Sequence, residues 1–129
     1  MIKSTENMIF VFGSNLSGIH GAGAARFAVD KKGATMGQGI GLQGQSYALP
    51  TKGFNISFMP LSQIRRHIAV FRDFALHNPD LEFQVTQVAC GLAGFTKEEI
   101  APLFKGSPSN CYFDMAWQPL LGDNHNYWM

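Results

Sequence analysis

Met8-Ile9-Phe10-Val11-Phe12-Gly13-Ser14-Asn15-Leu16-Ser17-Gly18-Ile19-His20-Gly21-Ala22-Gly23-Ala24-Ala25 is the part of the chain on which its architecture turns. Residues 8–12 form an unbroken apolar run, the pattern of a strand buried on both faces of an α/β sheet. A glycine-containing turn ends the run at Gly13. Residues 22–32 then place Ala24, Phe27 and Ala28 at helical spacing, with Lys31 and Lys32 in the last turn and Gly33 as a stop. The expected unit is strand, glycine-rich loop, helix. In α/β sheets ligands sit beyond the carboxyl ends of strands, where main-chain N–H groups and helix N-termini are exposed.

Outward from this unit, residues 34–46 show no period and read as a loop leading to a short strand at 47–49, with another at 54–59. Ile64, Ile68, Phe71 and Ala75 mark the apolar face of a longer helix, which Ser62 is placed to cap and Asn78-Pro79 to stop. Residues 83–90 read as a strand closed by Gly91. Thr96-Lys97-Glu98-Glu99 is a capping box opening an amphipathic turn with Ile100, Leu103 and Phe104, which Pro102 complicates. Residues 111–115 give a last strand before an aromatic and polar tail. Strands alternating with helices predict a layered α/β protein, a single domain over residues 1–129.

The whole-chain numbers exclude more than they nominate. With 129 residues, ten Lys and Arg against nine Asp and Glu and a net charge of +1, the chain lacks the basic excess that draws nucleic acid. It carries no direct nucleic-acid signal. No apolar run approaches the roughly 20 residues needed to cross a bilayer, and residues 1–7 are polar where a signal peptide would build its apolar core, so a cytoplasmic protein without a membrane partner is expected. Cys90 and Cys111 are too few for a disulfide framework and lack metal-ligand spacing, so both are expected reduced, with no metal and no cofactor.

Ten of the fourteen glycines lie between residues 13 and 53. Gly13-x-x-x-x-Gly18 resembles the start of a P-loop, but Ile19-His20 stands where phosphate chemistry needs Lys and Ser or Thr, which excludes that class. Gly39-Ile40-Gly41-Leu42-Gln43-Gly44 matches the dinucleotide pattern in form alone, with no strand before it and no helix after. Gly21-Ala22-Gly23-Ala24-Ala25 follows a buried strand and enters a helix. There, small residues serve either a diphosphate approaching the main chain or close packing of helix on sheet.

Residues 12–25 resemble the first ligand loop of the macrodomain superfamily, in which a polar residue after a central strand is followed by a glycine-rich loop and a helix with small residues. Asn15, Gly21, Gly23 and Ala24 match that pattern, and the chain is most similar to uncharacterised bacterial and phage relatives. Val88-Ala89-Cys90-Gly91-Leu92-Ala93-Gly94-Phe95 resembles the second, phosphate-wrapping loop. The resemblance covers roughly residues 8–115. It implies a compact three-layer α/β fold with a mixed central sheet, trimmed at its N-terminal part, and a site for ADP-ribose, a related nucleotide derivative or an ADP-ribosylated macromolecule. It places ligand contacts at Gly13, Ser14, Asn15, His20, Gly21, Ala22, Gly23 and Ala24 and at Gly91, Leu92, Ala93, Gly94 and Phe95.

Within the superfamily, the class that removes terminal ADP-ribose from proteins carries a catalytic Lys after the strand that follows the first helix. Leu49-Pro50-Thr51-Lys52 falls there, so the resemblance implies Lys52 as a nucleophile at the distal ribose, with Asn15 and His20 as its nearest polar candidates. An exposed loop lysine is the alternative. The chain departs from that class at Ala93, where the class has an Asp, and no Asp precedes residue 8 to take adenine.

Among the polar residues, His20 suits a ribose hydroxyl or acid–base chemistry, and Asn15 either a ribose diol or a turn that ties down its own loop. Gln43, Gln45 and Ser46 are weaker candidates for the same cleft. The tail 124–128 is open to base stacking, core cover or an oligomer contact. A different class of function, a protein-interaction module whose glycines serve packing, stands as the alternative.

Overall fold

In a computed structural model describing residues 3–129, β1 (Ile9–Asn15) leads through the glycine loop into α1 (Gly23–Lys31). A loop then brings β2 (Gly41–Gln43) and β3 (Ser46–Lys52), followed by α2 (Leu61–Leu76) and β4 (Phe83–Val85). The rest is α3 (Lys97–Ile100), β5 (Cys111–Asp114), α4 (Gln118–Leu121) and β6 (Asn126–Trp128). Met1 and Ile2, the start of the expected domain, lie outside the described residues.

The six strands form one mixed sheet in the order β2-β3-β1-β4-β5-β6, parallel throughout except for β2 against β3. The alternation of side chains along β1 explains the layering. Ile9 and Val11 join the larger core with Ile64, Ile68 and Phe71 of α2, and with Phe104 and Trp117 from the short helical turns. Phe10 and Phe12 point the other way, onto Ala28 of α1. Helices on both faces of the central strands make the α/β fold three-layered, as expected. The larger core rests on aromatics: Phe71 meets Tyr47, Phe83 and Phe104 with ring centroids 5.1, 5.3 and 6.3 Å apart. Truncating such a buried Phe to Ala costs about 3–5 kcal/mol.

Several local expectations are corrected. Residues 54–59 are not a strand. Phe54–Ile56 is a 3-10 turn in which Asn55 and Ile56 both have positive φ, and only an isolated bridge joins Lys52 to Phe58. The strand read at 83–90 stops at Val85, because from Thr86 onward the chain folds into turns (Val88 N–H to Thr86 O at 2.7 Å). Ser62 caps nothing, since α2 begins at Leu61 with Pro60 as its uncapped N-cap. The strand read at 47–49 is longer and contains Pro50, tolerated because β2 pairs only with residues 46–48 and leaves that side of β3 open.

The capping box at Thr96 is formed in both directions, Thr96 Oγ1 accepting from Glu99 N–H and Glu99 Oε1 from Thr96 N–H. Pro102 opens the 3-10 turn that continues it. The tail covers the sheet: β6 pairs with β5, and Trp128 Nε1–H donates to Val85 O at 3.0 Å. Among the described residues no helix is long and apolar enough to cross a membrane.

Candidate functional site

β1 and β3 end side by side, Asn15 opposite Lys52 across a register shift after Ser14. The shift interrupts the regular ladder at this point. Around these ends lies a cleft of about 360 Å³, within the range of small-molecule sites. Its walls are the first loop from Gly21 to Ala25, the second from Val88 to Ala93 without Cys90, the strand ends Gly13 to Asn15 with Thr51 and Lys52, and the apolar side chains of Ile19 and Ile56. Thr86 and Gln87 complete it. The two glycine loops, 70 residues apart in sequence, thus face one space with Lys52 on its wall.

What the cleft offers a ligand follows from which donors are already used. Ser14 Oγ donates to Gly39 O, Thr51 Oγ1 to Ser14 O at 3.3 Å, and Thr86 Oγ1 to Val11 O at 2.6 Å. Gln87 Nε2 donates to Asp114. Asn15 clasps its own loop, donating from Nδ2 to Ile19 O at 2.8 Å and accepting from Ile19 N–H at 2.9 Å. The side chains therefore build the wall. The main-chain N–H groups of Gly23, Ala24 and Ala25 at the start of α1 have no side-chain cap, and no acid lies in its first turn. Those of Gly91, Leu92 and Ala93 have no acceptor among the described residues. No carboxylate lines the cleft, and Lys52 is its one charged side chain, making no ion pair among the described residues. These six N–H groups are free donors beside a cleft without a carboxylate, an arrangement complementary to an anion rich in acceptor oxygens.

The glycines separate into two kinds. A Cβ at Gly18, Gly39 or Gly44 would fall 2.3, 2.2 or 2.5 Å from neighbouring backbone atoms. Gly39 therefore serves the close approach of its loop to Asn15 and Leu16, and Gly44 the approach to Gly33, whereas Gly37 and Gly41 have open space and positive φ. A Cβ at Gly21 or Gly91 would meet nothing within 4 Å, and neither residue has positive φ. Nothing inside the described chain requires glycine at those two places.

Not every expected contact reaches the cleft. His20 is fully buried behind the loop, its ring edge-on to Phe12, with Nε2–H donating to Gln38 O at 2.9 Å and Nδ1 without a partner among the described residues. It is a pin between two loops and neither a ribose contact nor an acid–base group in the cleft. Gly94 and Phe95 also lie outside the lining. Gly94, at φ +83°, makes the turn, and Phe95 packs onto the core and stacks on Phe58 at 6.0 Å. Gln43, Gln45 and Ser46 bond to backbone elsewhere. Ile19, Thr51, Ile56, Thr86 and Gln87 also line the cleft, as do Val88 and Ala89 of the second loop, where the resemblance places no contact. Ala89, at φ +65°, holds a conformation rare for a side-chain-bearing residue.

Both cysteines are free, and burial pushes the thiol of Cys90 up to about 11 and that of Cys111 up to about 12, leaving both protonated near neutrality. Glu98 and Glu99 add to the effect at Cys90. Comparison with protein-family models, curated proteins and solved structures finds no match for this chain.

Proposed function

We propose that the cleft binds ADP-ribose or a related nucleotide diphosphate, held chiefly by main-chain N–H groups of the two glycine loops. One observation carries the reading: six unsatisfied N–H donors, at 23–25 and 91–93, border a single cleft that has Lys52 and no carboxylate. A diphosphate supplies acceptors for those donors and needs little further basic charge, consistent with the +1 net charge of the chain. Bare backbone at Gly21 and Gly91 lets such a group approach within hydrogen-bond distance. The apolar walls of Ile19, Ile56 and Leu92 suit the ribose and base portions. In an amide chemical-shift titration with ADP-ribose, residues 21–25 and 91–93 are expected to move together and saturate. Shifts confined to other surfaces would overturn the assignment.

The presence of Lys52 on the cleft wall favours a second reading, hydrolysis at the distal ribose. There its unprotonated amine would attack C1″, displacing the linkage oxygen or nitrogen, which takes up a proton. Water would then release the ribose and restore the amine. Asn15 serves this reading by shaping the loop opposite Lys52, since its amide is engaged with Ile19. The packing-only alternative, an interaction module, explains Gly18, Gly39 and Gly44 but not Gly21 and Gly91.

A further inference from the structure

A second hollow, of about 280 Å³, shares no residue with the cleft. Arg65, Ala69 and Arg72 lie at positions i, i+4 and i+7 of α2 and form one stripe of its surface. Pro102, Leu103 and Lys105, from the turn after α3, form the opposite wall. Ala69, with its short side chain, leaves room between the two arginines.

Three cations thus surround one hollow without a carboxylate in its lining, and none of the three is ion-paired among the described residues. Arg72 is the informative member. Its Nε is covered from solvent and has no acceptor among the described residues. Gly106, at φ +79°, lies so close that a Cβ there would sit 3.2 Å from a terminal nitrogen of the Arg72 guanidinium. The guanidinium of this half-buried residue thus lies beside the backbone of the turn at Gly106. A cationic donor buried without an acceptor is unfavourable, and like charges around one hollow repel one another. An oxyanion relieves both.

We propose that this hollow is an oxyanion site that takes the phosphate group of a small molecule, with the Arg72 guanidinium at its floor and Arg65 and Lys105 at its sides. The planar fork of an arginine matches two oxygens of one phosphate, while a lysine adds a mobile point charge. Three cations favour a dianion over a monocarboxylate. The proposal is independent of the nucleotide reading of the cleft.

The test is an NMR titration of the Arg72 Nε–Hε resonance in the full-length protein at constant ionic strength, with inorganic phosphate, AMP, acetate and a short oligonucleotide as probes. Phosphate or AMP is expected to give a saturable shift in the millimolar range or tighter, with acetate at least tenfold weaker. Comparable binding of phosphate and AMP identifies the phosphate group itself as the determinant, while tighter binding of AMP identifies a phosphate monoester. Arg65→Gln combined with Lys105→Gln, both exposed positions, is expected to weaken phosphate binding at least tenfold while leaving the fold intact. The proposal is overturned by a linear, unsaturated response, by equal effects of acetate and phosphate, by an unchanged affinity in the double variant, or by binding of the oligonucleotide alone.

Discussion

Replacing Gly21 and Gly44 separately by alanine tests whether the two kinds of glycine differ as their surroundings imply. At Gly44, φ is +58° and the new Cβ would lie 2.5 Å from the carbonyl oxygen of Gly33. The left-handed conformation alone costs an alanine about 1–2 kcal/mol, and the clash with backbone adds to it, for a loss of about 2–4 kcal/mol. For a chain of this length that is a fall in Tm of roughly 7–15 °C. At Gly21 the Cβ meets nothing, so Gly21→Ala loses only unfolded-state freedom. It is expected to stabilise the protein by about 0.4–1 kcal/mol, or roughly 1–4 °C. Because Gly21 borders the cleft, the same methyl group is expected to weaken ADP-ribose binding by tenfold or more, equivalent to about 1.4 kcal/mol. Thermal denaturation gives the first pair of values and calorimetric titration the third. A Gly21→Ala protein that is destabilised, or that binds with unchanged affinity, refutes the argument that a ligand rather than the fold requires glycine there.

Lys52→Ala removes the only charged side chain of the cleft and no hydrogen bond among the described residues, so Tm should change by less than about 2 °C, while release of ADP-ribose from modified protein falls to background. Release that survives the substitution removes Lys52 from the mechanism. Cys111 predicts an alkaline weakness. Its thiol holds its proton up to about 12 when folded, against 9.0 ordinarily, because burial penalises the thiolate. That contribution is intact below pH 9 and is lost as pH climbs towards 12, at about 1.4 kcal/mol per pH unit. Urea midpoints measured from pH 8 to 11 should fall, and fall less steeply in Cys111→Ala. A flat wild-type profile contradicts the assignment.

The central unit of the fold was readable because its signals are local. The apolar run at 8–12, the glycine stop at 33, the helical face from Ile64 to Ala75 and the capping box at Thr96 each declare themselves within a few residues. The elements that failed depend on distant partners. Residues 88–90 are apolar enough to extend a strand, but the chain turns after Thr86, whose Oγ1 bonds Val11 O 75 residues earlier. Residues 54–58 alternate plausibly, yet Asn55 N–H is anchored by Ser17 Oγ and the chain adopts a left-handed turn. For the cleft, the two loops and Lys52 were legible from order and spacing, whereas the burial of His20 depends on Gln38 reaching its ring. The dense glycines at 37–44 carry no linear signature, because Gly39 answers a close crossing over the first loop, Gly44 an approach to Gly33, and Gly37 and Gly41 only a positive φ.

Titrating the protein calorimetrically with ADP-ribose, alongside thermal shift, bears most directly on the claim that the donor-lined cleft is a nucleotide diphosphate site. Saturable one-to-one binding is predicted, with a rise in Tm that grows with ligand concentration and reaches roughly 10 °C at a hundredfold excess over Kd. Absence of both heat and thermal shift at millimolar ADP-ribose would contradict it.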